Sequence, residues 1–147
     1  MYTIDASVWV NAFDRREPEH AASRRLLDLI AAQAIPVFVP NLVLAEVAGA
    51  ISRTRKSPAD ARAFATALGD LPNVRLVPLD DVSAHQAVGL AAQHGLRGAD
   101  AVYAVVAMRA GTALLTLDDE HLTRLAGVVS VRTPAAELAA LASRGRS

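Results

Sequence analysis

Short apolar runs alternate with longer stretches of helical periodicity along this sequence. The apolar runs have the length of buried strands and cover residues 2–5, 37–39, 74–79, 113–117 and 128–131. Apolar residues spaced three to four positions apart predict helices over residues 7–13, 18–34, 42–53, 58–69, 82–94, 98–109 and 119–125, with a closing helix from residue 134. Strands that alternate with helices favour right-handed crossovers and a parallel sheet covered on both faces. We therefore predict an α/β fold with a doubly wound parallel sheet.

Residues typical of helix ends mark several of these boundaries. Pro18 is expected in the first turn of the second helix, and Asn41 and Ser57 are expected to cap the helices that follow them. Gly95 and Gly111 are expected to end helices, because glycine readily adopts the left-handed conformation of a C-terminal cap. These signals support the division into elements that the apolar pattern gives.

Composition limits the location and the chemistry of the protein. With 147 residues, 52% of them hydrophobic, and no repeat or linker, we expect a single domain over residues 1–147. No apolar run approaches the roughly 18 residues of a membrane span, and residues 1–7 lack the basic start of a secretion signal, so a cytoplasmic protein without membrane contact is expected. Without cysteine, thiolate metal sites and thiol nucleophiles are excluded. A formal net charge of zero argues against binding nucleic acid through a strong overall positive field.

Two carboxylates directly follow predicted strands. Asp5 ends the first strand and Asp118 ends the fourth. In open parallel sheets, ligands bind beyond the carboxyl ends of the strands, where the strand order reverses. If the two strands are neighbours, both carboxylates project into one cleft.

Two further acids interrupt apolar helical stretches. Glu46 lies in the run LVLAEVA and Asp100 in the run ADAVYAV. Each has an ordinary explanation, since Asp100 suits the first turn of a helix and Glu46 can face solvent. Together with the strand-end acids, however, they suggest one carboxylate cluster, whose mutual repulsion a cation would relieve. Carboxylate ligands indicate Mg²⁺ or Mn²⁺ rather than zinc, and the histidines show no ligand spacing, although His121 follows the acidic run 118–120 and could approach the cleft.

Four segments, in their order and spacing, resemble the PIN-domain nucleases, and specifically the VapC-type toxins of bacterial toxin–antitoxin pairs. They are residues 4–9 (IDASVW), 40–47 (PNLVLAEV), 96–101 (LRGADA) and 115–118 (LTLD). The resemblance covers nearly the whole chain. It implies a PIN-like sheet with the strand order 3-2-1-4-5, which makes the first and fourth strands neighbours.

The resemblance also implies a function and roles for particular residues. It implies a metal-dependent endoribonuclease, the toxin of a type II pair, in which a metal-activated water cleaves RNA phosphodiesters. The implied partners are the RNA substrate, a cognate antitoxin and a second copy in a homodimer. The implied catalytic and metal-binding residues are Asp5, Glu46, Asp100 and Asp118. The supporting hydroxyls are those of Ser7 and Thr116, and Asp119 could assist or replace Asp118.

Two features keep more than one interpretation. Arg97, three residues before Asp100, either contacts the RNA backbone or pairs with an acid. Trp9, Val10 and Phe13 form an apolar face that either packs in the core or lines a groove for a helical segment of the antitoxin.

Two rival functions share the predicted fold. A phosphoacceptor receiver domain also uses acids at strand ends, and Asp80 and Asp81 follow the third strand. Such a domain needs a lysine after its fifth strand, whereas Lys56 is the sole lysine of this chain. A catalytically silent PIN module that binds RNA or a partner protein is the second rival, and the complete set of four acids argues against it.

Overall fold

A single parallel sheet organises the computed structural model, which describes residues 1–145. Its strands are β1 (Tyr2–Ile4), β2 (Val37–Pro40), β3 (Val74–Val77), β4 (Ala113–Leu115) and β5 (Val131–Arg132). They lie in the order β3-β2-β1-β4-β5, and every neighbouring pair is parallel. The predicted α/β class and the strand order implied by the resemblance are both confirmed.

Helices connect the strands and cover the sheet. They are α1 (Ala6–Phe13), α2 (His20–Ala32), α3 (Val43–Arg55), α4 (Pro58–Gly69), α5 (Asp81–His94), α6 (Gly98–Ala110), α7 (Asp119–Arg124) and α8 (Pro134–Arg144). As predicted, Ser57 caps α4, and Gly95 and Gly111 end α5 and α6 in the left-handed conformation. No helix among the described residues combines the length and the apolar character needed to cross a bilayer.

Strand β1 occupies the centre of the sheet. Tyr2 lies opposite Val37 on one side and Ala113 on the other. Ile4 and Leu115, which face each other across β1 and β4, are completely buried. Burying each such side chain contributes about 1.5–3 kcal/mol, so the packing of the core fixes the strand ends from which the site projects.

Two predicted helix starts are wrong. Pro18 precedes α2 instead of lying in its first turn, because the backbone N–H of His20 bonds to the carbonyl of Glu17 in a separate turn. The side chain of Asn41 does not cap α3, whose cap residue is Leu42. The backbone carbonyl of Asn41 nevertheless accepts a hydrogen bond from the N–H of Leu44. Pro18 lies in the turn before α2, and Asn41 lies in the turn between β2 and α3.

Four predicted strands are longer than, or displaced from, those observed, and the first of them, predicted over residues 2–5, ends at Ile4. The strands predicted over residues 74–79 and 113–117 end at Val77 and Leu115. The last strand, predicted over residues 128–131, covers only Val131–Arg132. Val128 and Val129 belong to a turn, since both of their N–H groups bond to the carbonyl of Leu125. Their side chains pack against the core from that turn, which explains why the run reads as a strand in the sequence.

A buried polar cluster ties the first strand to the last helix. The hydroxyl of Tyr2 donates to Oε1 of Glu137 at 2.7 Å, and Arg132 donates to Oε2 of the same carboxylate at 2.5 Å. Glu137 is only 2% exposed. Burial raises the pKa of Tyr2 to about 12, and the bonded carboxylate adds to the shift. Burial alone would raise the pKa of Glu137 as well, but Tyr2 and Arg132 outweigh it and hold that pKa below its ordinary value.

Candidate active site

Asp5 and Asp118 extend from the carboxyl ends of two adjacent strands. Asp5 follows β1 and its carboxylate caps α1, while Asp118 lies beyond β4 and its carboxylate caps α7 through the N–H of Glu120 at 2.8 Å. Strands β1 and β4 pair directly, so the two acids enter the same cleft. This is the neighbour relation that the sequence analysis required.

Two helices bring the other acids to that cleft. Asp100 lies in the first turn of α6 and is 8% exposed, and Glu46 lies in the first turn of α3, where it is half-buried. We call this depression the acidic cleft. It is lined by Asp5, Ala6, Ser7, Val10, Asn11, Ala45, Glu46, Gly49, Ala50, Arg53, Arg97, Ala99, Asp100, Asp118 and His121. The structure thus gathers all four predicted acids.

Two hydroxyls fix the orientation of the Asp5 carboxylate. Ser7 Oγ donates to Oδ2 of Asp5 at 2.6 Å, and Thr116 Oγ1 donates to the same oxygen at 3.1 Å. Each hydroxyl also accepts a backbone N–H, from Leu117 in the case of Ser7 and from Asp118 in the case of Thr116. Both predicted supporting hydroxyls therefore contact Asp5, and within the described chain Oδ1 of Asp5 accepts no hydrogen bond.

Tyr103 orients Glu46. The Tyr103 hydroxyl, on a fully buried side chain, donates to Oε2 of Glu46 at 2.6 Å. Burial raises the pKa of Glu46 above its ordinary value, the Tyr103 hydrogen bond opposes this, and the negative charges of Asp5 and Asp100 add to it. Burial also raises the pKa of Tyr103 far above the ordinary value, so its hydroxyl stays protonated and remains a donor.

Arg97 bridges two of the acids. Its Nε lies 3.0 Å from Oδ2 of Asp100, and its Nη2 lies 2.8 Å from Oδ2 of Asp118. The side chain itself is 67% exposed. The sequence left two interpretations open for Arg97, contact with the RNA backbone and pairing with an acid. The structure shows the pairing with acids.

His121 is a buried member of the site, on α7. Nδ1 of His121 lies 3.1 Å from Oγ1 of Thr116. Because the Thr116 hydroxyl donates its proton to Asp5, Nδ1 of His121 must donate to Oγ1 of Thr116. Nε2 lies 2.7 Å from Oδ1 of Asp100, although its N–H is not aligned as a hydrogen bond. Burial alone would lower the pKa of His121, but Asp100, Asp5 and Asp118 raise it.

The same contacts set the charge of Asp100. Burial alone would raise the pKa of its carboxyl, but His121 and Arg97 outweigh that effect and hold the pKa below the ordinary value. Asp100 is therefore an anion, paired with the Arg97 guanidinium and lying against the His121 ring. The cleft has balanced much of its negative charge with side chains of the protein itself.

The donor set agrees in kind with a hard divalent cation, because it consists of carboxylates with solvent access. In residues 1–145, however, no three His, Asp or Glu side chains stand in positions that hold one ion as they are. Asp100 and Asp118 turn toward Arg97, and Glu46 turns toward Tyr103. A cation that used Oδ2 of Asp100 or Oδ2 of Asp118 would compete with Arg97.

Asp119 does not share the position of Asp118. Its side chain is exposed on the first turn of α7, and it is absent from the lining of the acidic cleft. The geometry gives no support to Asp119 as an assisting residue. Successive residues at a helix start point in different directions, and here Asp118 is the one that faces the other acids.

The apolar face predicted on α1 is divided among three surroundings. Trp9 is 5% exposed and lines an apolar cavity between α1, α2 and α4, together with Leu27, Phe64 and Leu68. Val10 lines the acidic cleft. Phe13 packs edge to face on Phe64, with ring centroids 4.4 Å apart. The predicted apolar face therefore serves in part for packing, through Trp9 and Phe13, and in part to line the acidic cleft, through Val10.

Sequence reasoning missed Tyr103 and gave little weight to Arg53 and His121. Tyr103 reads as one more apolar residue of α6, and its partner Glu46 lies 57 residues away in the sequence. Arg53 is one of many arginines in the chain. For His121, the available signal was its position three residues after Asp118, which places both on the first turns of one short helix.

Solved structures with a similar fold include three that cover nearly the whole chain. VapC20 of Mycobacterium tuberculosis, a toxin that cleaves the sarcin–ricin loop, is 23% identical, with a TM-score of 0.73 over 90% of this chain and 99% of that chain. PAE2754 of Pyrobaculum aerophilum is 24% identical, with a TM-score of 0.66 over 97% and 96%. VapBC2 of Rickettsia felis, bound to a promoter DNA fragment, is 16% identical, with a TM-score of 0.66 over 90% and 97%.

At these identities the structural likenesses establish a common fold. A comparison with curated proteins gives no match. The model of the PIN domain matches residues 2–128, a stretch that contains all four acids and every strand except β5. With a match of that extent, the chain belongs to the PIN-domain family.

Proposed function

We propose that this protein is a metal-dependent endoribonuclease and the toxin of a type II toxin–antitoxin pair. One observation carries the proposal: four acids from four separate segments of the chain line one cleft at the carboxyl ends of β1 and β4. A purely structural role does not explain this arrangement, since converging carboxylates repel one another. Membership of the PIN-domain family supports nuclease chemistry, and the sarcin–ricin loop cleaved by VapC20 supports RNA as the substrate class.

Asp5, Glu46, Asp100 and Asp118 are the residues that would hold Mg²⁺ or Mn²⁺. A divalent ion supplies activation of a water and neutralisation of charge at the phosphate when it is bound. Asp5 presents Oδ1 to the cleft because Ser7 and Thr116 occupy Oδ2. Glu46 likewise presents Oε1 while Tyr103 holds Oε2, so each carboxylate offers one oxygen in a fixed direction.

Glu46 and His121 have different roles in the cleft. Glu46 must be ionised to offer Oε1 to an ion, and burial together with the charges of Asp5 and Asp100 raises its pKa, so it ionises at higher pH than an ordinary glutamate. His121 serves to hold Asp100 and Thr116 in place. No side chain needs to act as a nucleophile.

The partners follow from the same assignment. Several solved structures with this fold are toxin–antitoxin complexes, including one from Klebsiella pneumoniae and VapBC from Salmonella typhimurium. The apolar cavity between α1, α2 and α4, which Trp9 and Phe64 line, suits the apolar face of an antitoxin helix. A cognate antitoxin, a homodimeric state and a cytoplasmic location complete the proposal.

The decisive experiment separates metal binding from catalysis. We expect Mn²⁺ to raise the melting temperature of the wild type but not of Asp5→Asn, and we expect the wild type to cleave single-stranded RNA only when Mg²⁺ or Mn²⁺ is present. Equal shifts in the melting temperatures of both proteins would contradict the proposed metal site. RNA binding without cleavage by metal-loaded wild type would instead identify a catalytically silent PIN module.

A further inference from the structure

Arg53 lines the acidic cleft from α3. It lies seven residues after Glu46 and four after Gly49, so the three residues share one face of the helix. All three belong to the lining of the cleft. Arg53 is therefore placed two helical turns from the carboxylate of Glu46, along the same wall.

The guanidinium of Arg53 differs in its contacts from those of the neighbouring arginines, Arg97 and Arg55. Arg97 is committed to Asp100 and Asp118, and Arg55 lies over the ring of Phe13 at 4.7 Å from its centroid. In the described part of the chain, Arg53 has no carboxylate within ion-pair distance and donates no hydrogen bond to another residue. It is an exposed cation, directed into an anionic cleft, with no protein partner to account for its position.

Gly49 makes the position of Arg53 possible. A Cβ added at residue 49 would lie 3.2 Å from Nη1 of Arg53, closer than ordinary van der Waals contact. Because that atom is the end of a flexible side chain, an alanine at 49 would displace the guanidinium rather than the helix. Gly89 in α5 has nothing within 4 Å of an added Cβ and provides a matched comparison.

We propose that Arg53 binds a backbone phosphate of single-stranded RNA in the acidic cleft, and that Gly49 provides the space in which its guanidinium lies. The inference rests on the proposed function, because an RNA strand must lie along the carboxylates. The acids repel every phosphate of that strand, so cationic groups on the wall of the cleft are needed to hold it. Arginine presents a planar fork of donors that matches two phosphate oxygens.

The test is the salt dependence of RNA binding. A fluorescein-labelled oligouridylate is titrated with the full-length protein in EDTA, which prevents hydrolysis, at several KCl concentrations. We expect Arg53→Gln to weaken binding about tenfold and to reduce the slope of log K against log salt by about 0.7, the value for one lost phosphate contact on a single strand. Arg53→Lys should retain the slope, because the charge remains.

Arg62→Gln is the matched control, since Arg62 is an exposed arginine of α4 outside the cleft and forms no ion pair in the described chain. Its slope should equal that of the wild type. An unchanged slope in Arg53→Gln, or an equal reduction in both variants, would overturn the inference. Wild-type protein that does not bind the oligouridylate would overturn it as well.

The glycine gives a second and independent test. Gly49→Ala should melt at a higher temperature than the wild type and yet bind the oligouridylate more weakly, whereas Gly89→Ala should gain stability and bind as the wild type does. Equal binding by the two alanine variants would contradict the role of Gly49. Cleavage of RNA by the wild type with Mn²⁺ is measured separately, so a failure of the proposed function can be told from a failure of this inference.

Discussion

The Thr116 hydroxyl donates to Oδ2 of Asp5 at 3.1 Å, across 111 residues of sequence. Thr116 lies directly beyond β4, Asp5 lies directly beyond β1, and the side chain of Thr116 is fully buried. The same oxygen of Thr116 accepts the backbone N–H of Asp118 at 3.0 Å. One hydroxyl therefore sets the positions of two acids of the cleft relative to each other.

Removing that hydroxyl should disturb the site more than the fold. Thr116→Val keeps the shape of the side chain but leaves the N–H of Asp118 without its acceptor, which costs about 1–3 kcal/mol of stability. Affinity for Mn²⁺, or the rate of RNA cleavage, should fall about 10- to 100-fold, as for other residues that orient metal ligands. Calorimetric titration and urea denaturation measure the two effects.

Thr116→Ser is the matched control, since it retains the hydroxyl and loses one methyl group. It should recover most of the affinity for Mn²⁺. If Thr116→Val bound Mn²⁺ as tightly as the wild type, the hydrogen bond from Thr116 to Asp5 would not contribute to metal binding.

Tyr103→Phe should release Glu46 from its fixed orientation. The substitution removes a 2.6 Å hydrogen bond on a fully buried ring and should cost about 0.5–1.5 kcal/mol of stability. Since the Tyr103 hydrogen bond lowers the pKa of Glu46, that pKa should rise further in the variant. The cleavage rate plotted against pH would then shift toward higher pH, and an unshifted profile would show that the ionisation of Glu46 does not limit the rate.

Arg97→Gln should strengthen metal binding. The guanidinium lies between Asp100 and Asp118, where it competes with any cation that uses the same oxygens. Without it, the Kd for Mn²⁺ should decrease, and Arg109→Gln, which removes an arginine paired with Asp80 outside the cleft, should leave that Kd unchanged. A higher Kd in Arg97→Gln would mean that Arg97 supports the metal site instead of competing with it.

Glu137 should make stability depend on acidic pH. Because its pKa in the folded protein lies below the ordinary value of 4.5, the unfolded chain binds its proton first as the pH falls. The stabilisation is complete above pH 4.5 and is lost as the pH falls through the lower pKa of the folded state. Melting temperatures of wild type and Glu137→Gln should therefore differ most near neutral pH and converge in acid, whereas a constant difference would show that the shift in pKa is absent.

Gly49→Ala should stabilise α3 by about 0.5–1 kcal/mol, since glycine in a helix interior is less favourable than alanine by that amount. The new methyl group meets only the end of the Arg53 side chain, which can move aside. Urea denaturation of Gly49→Ala and Gly89→Ala should give similar gains. A loss of stability in Gly49→Ala alone would show that Arg53 cannot move.

The positions of the acids could be predicted because local rules place them. Asp5 and Asp118 follow strands whose apolar runs are plain in the sequence, and both serve as helix caps where the chain leaves the sheet. Glu46 and Asp100 are conspicuous because the helical positions around them are apolar. Such signals lie within a few residues of one another and need no knowledge of the fold.

The side chains that orient the acids could not be predicted in the same way. Tyr103 belongs to the site through its hydrogen bond to Glu46, and His121 through its contact with Asp100. Both contacts arise only when distant segments of the chain pack together. The displacement of β5 has a similar cause, since Val128 and Val129 are buried by packing from a turn and imitate a strand. Burial explains both failures, because periodicity reports which residues are buried but not which partners they meet.

The central place of β1 has a consequence for synthesis of the protein. Tyr2 precedes one of its neighbours in the sheet, Ala113, by 111 residues. Until residues beyond Asp118 have emerged from the ribosome, the first strand lacks one flank and the acids have no common wall. A ribosome-bound chain that stops short of Asp118 consequently has no assembled cleft.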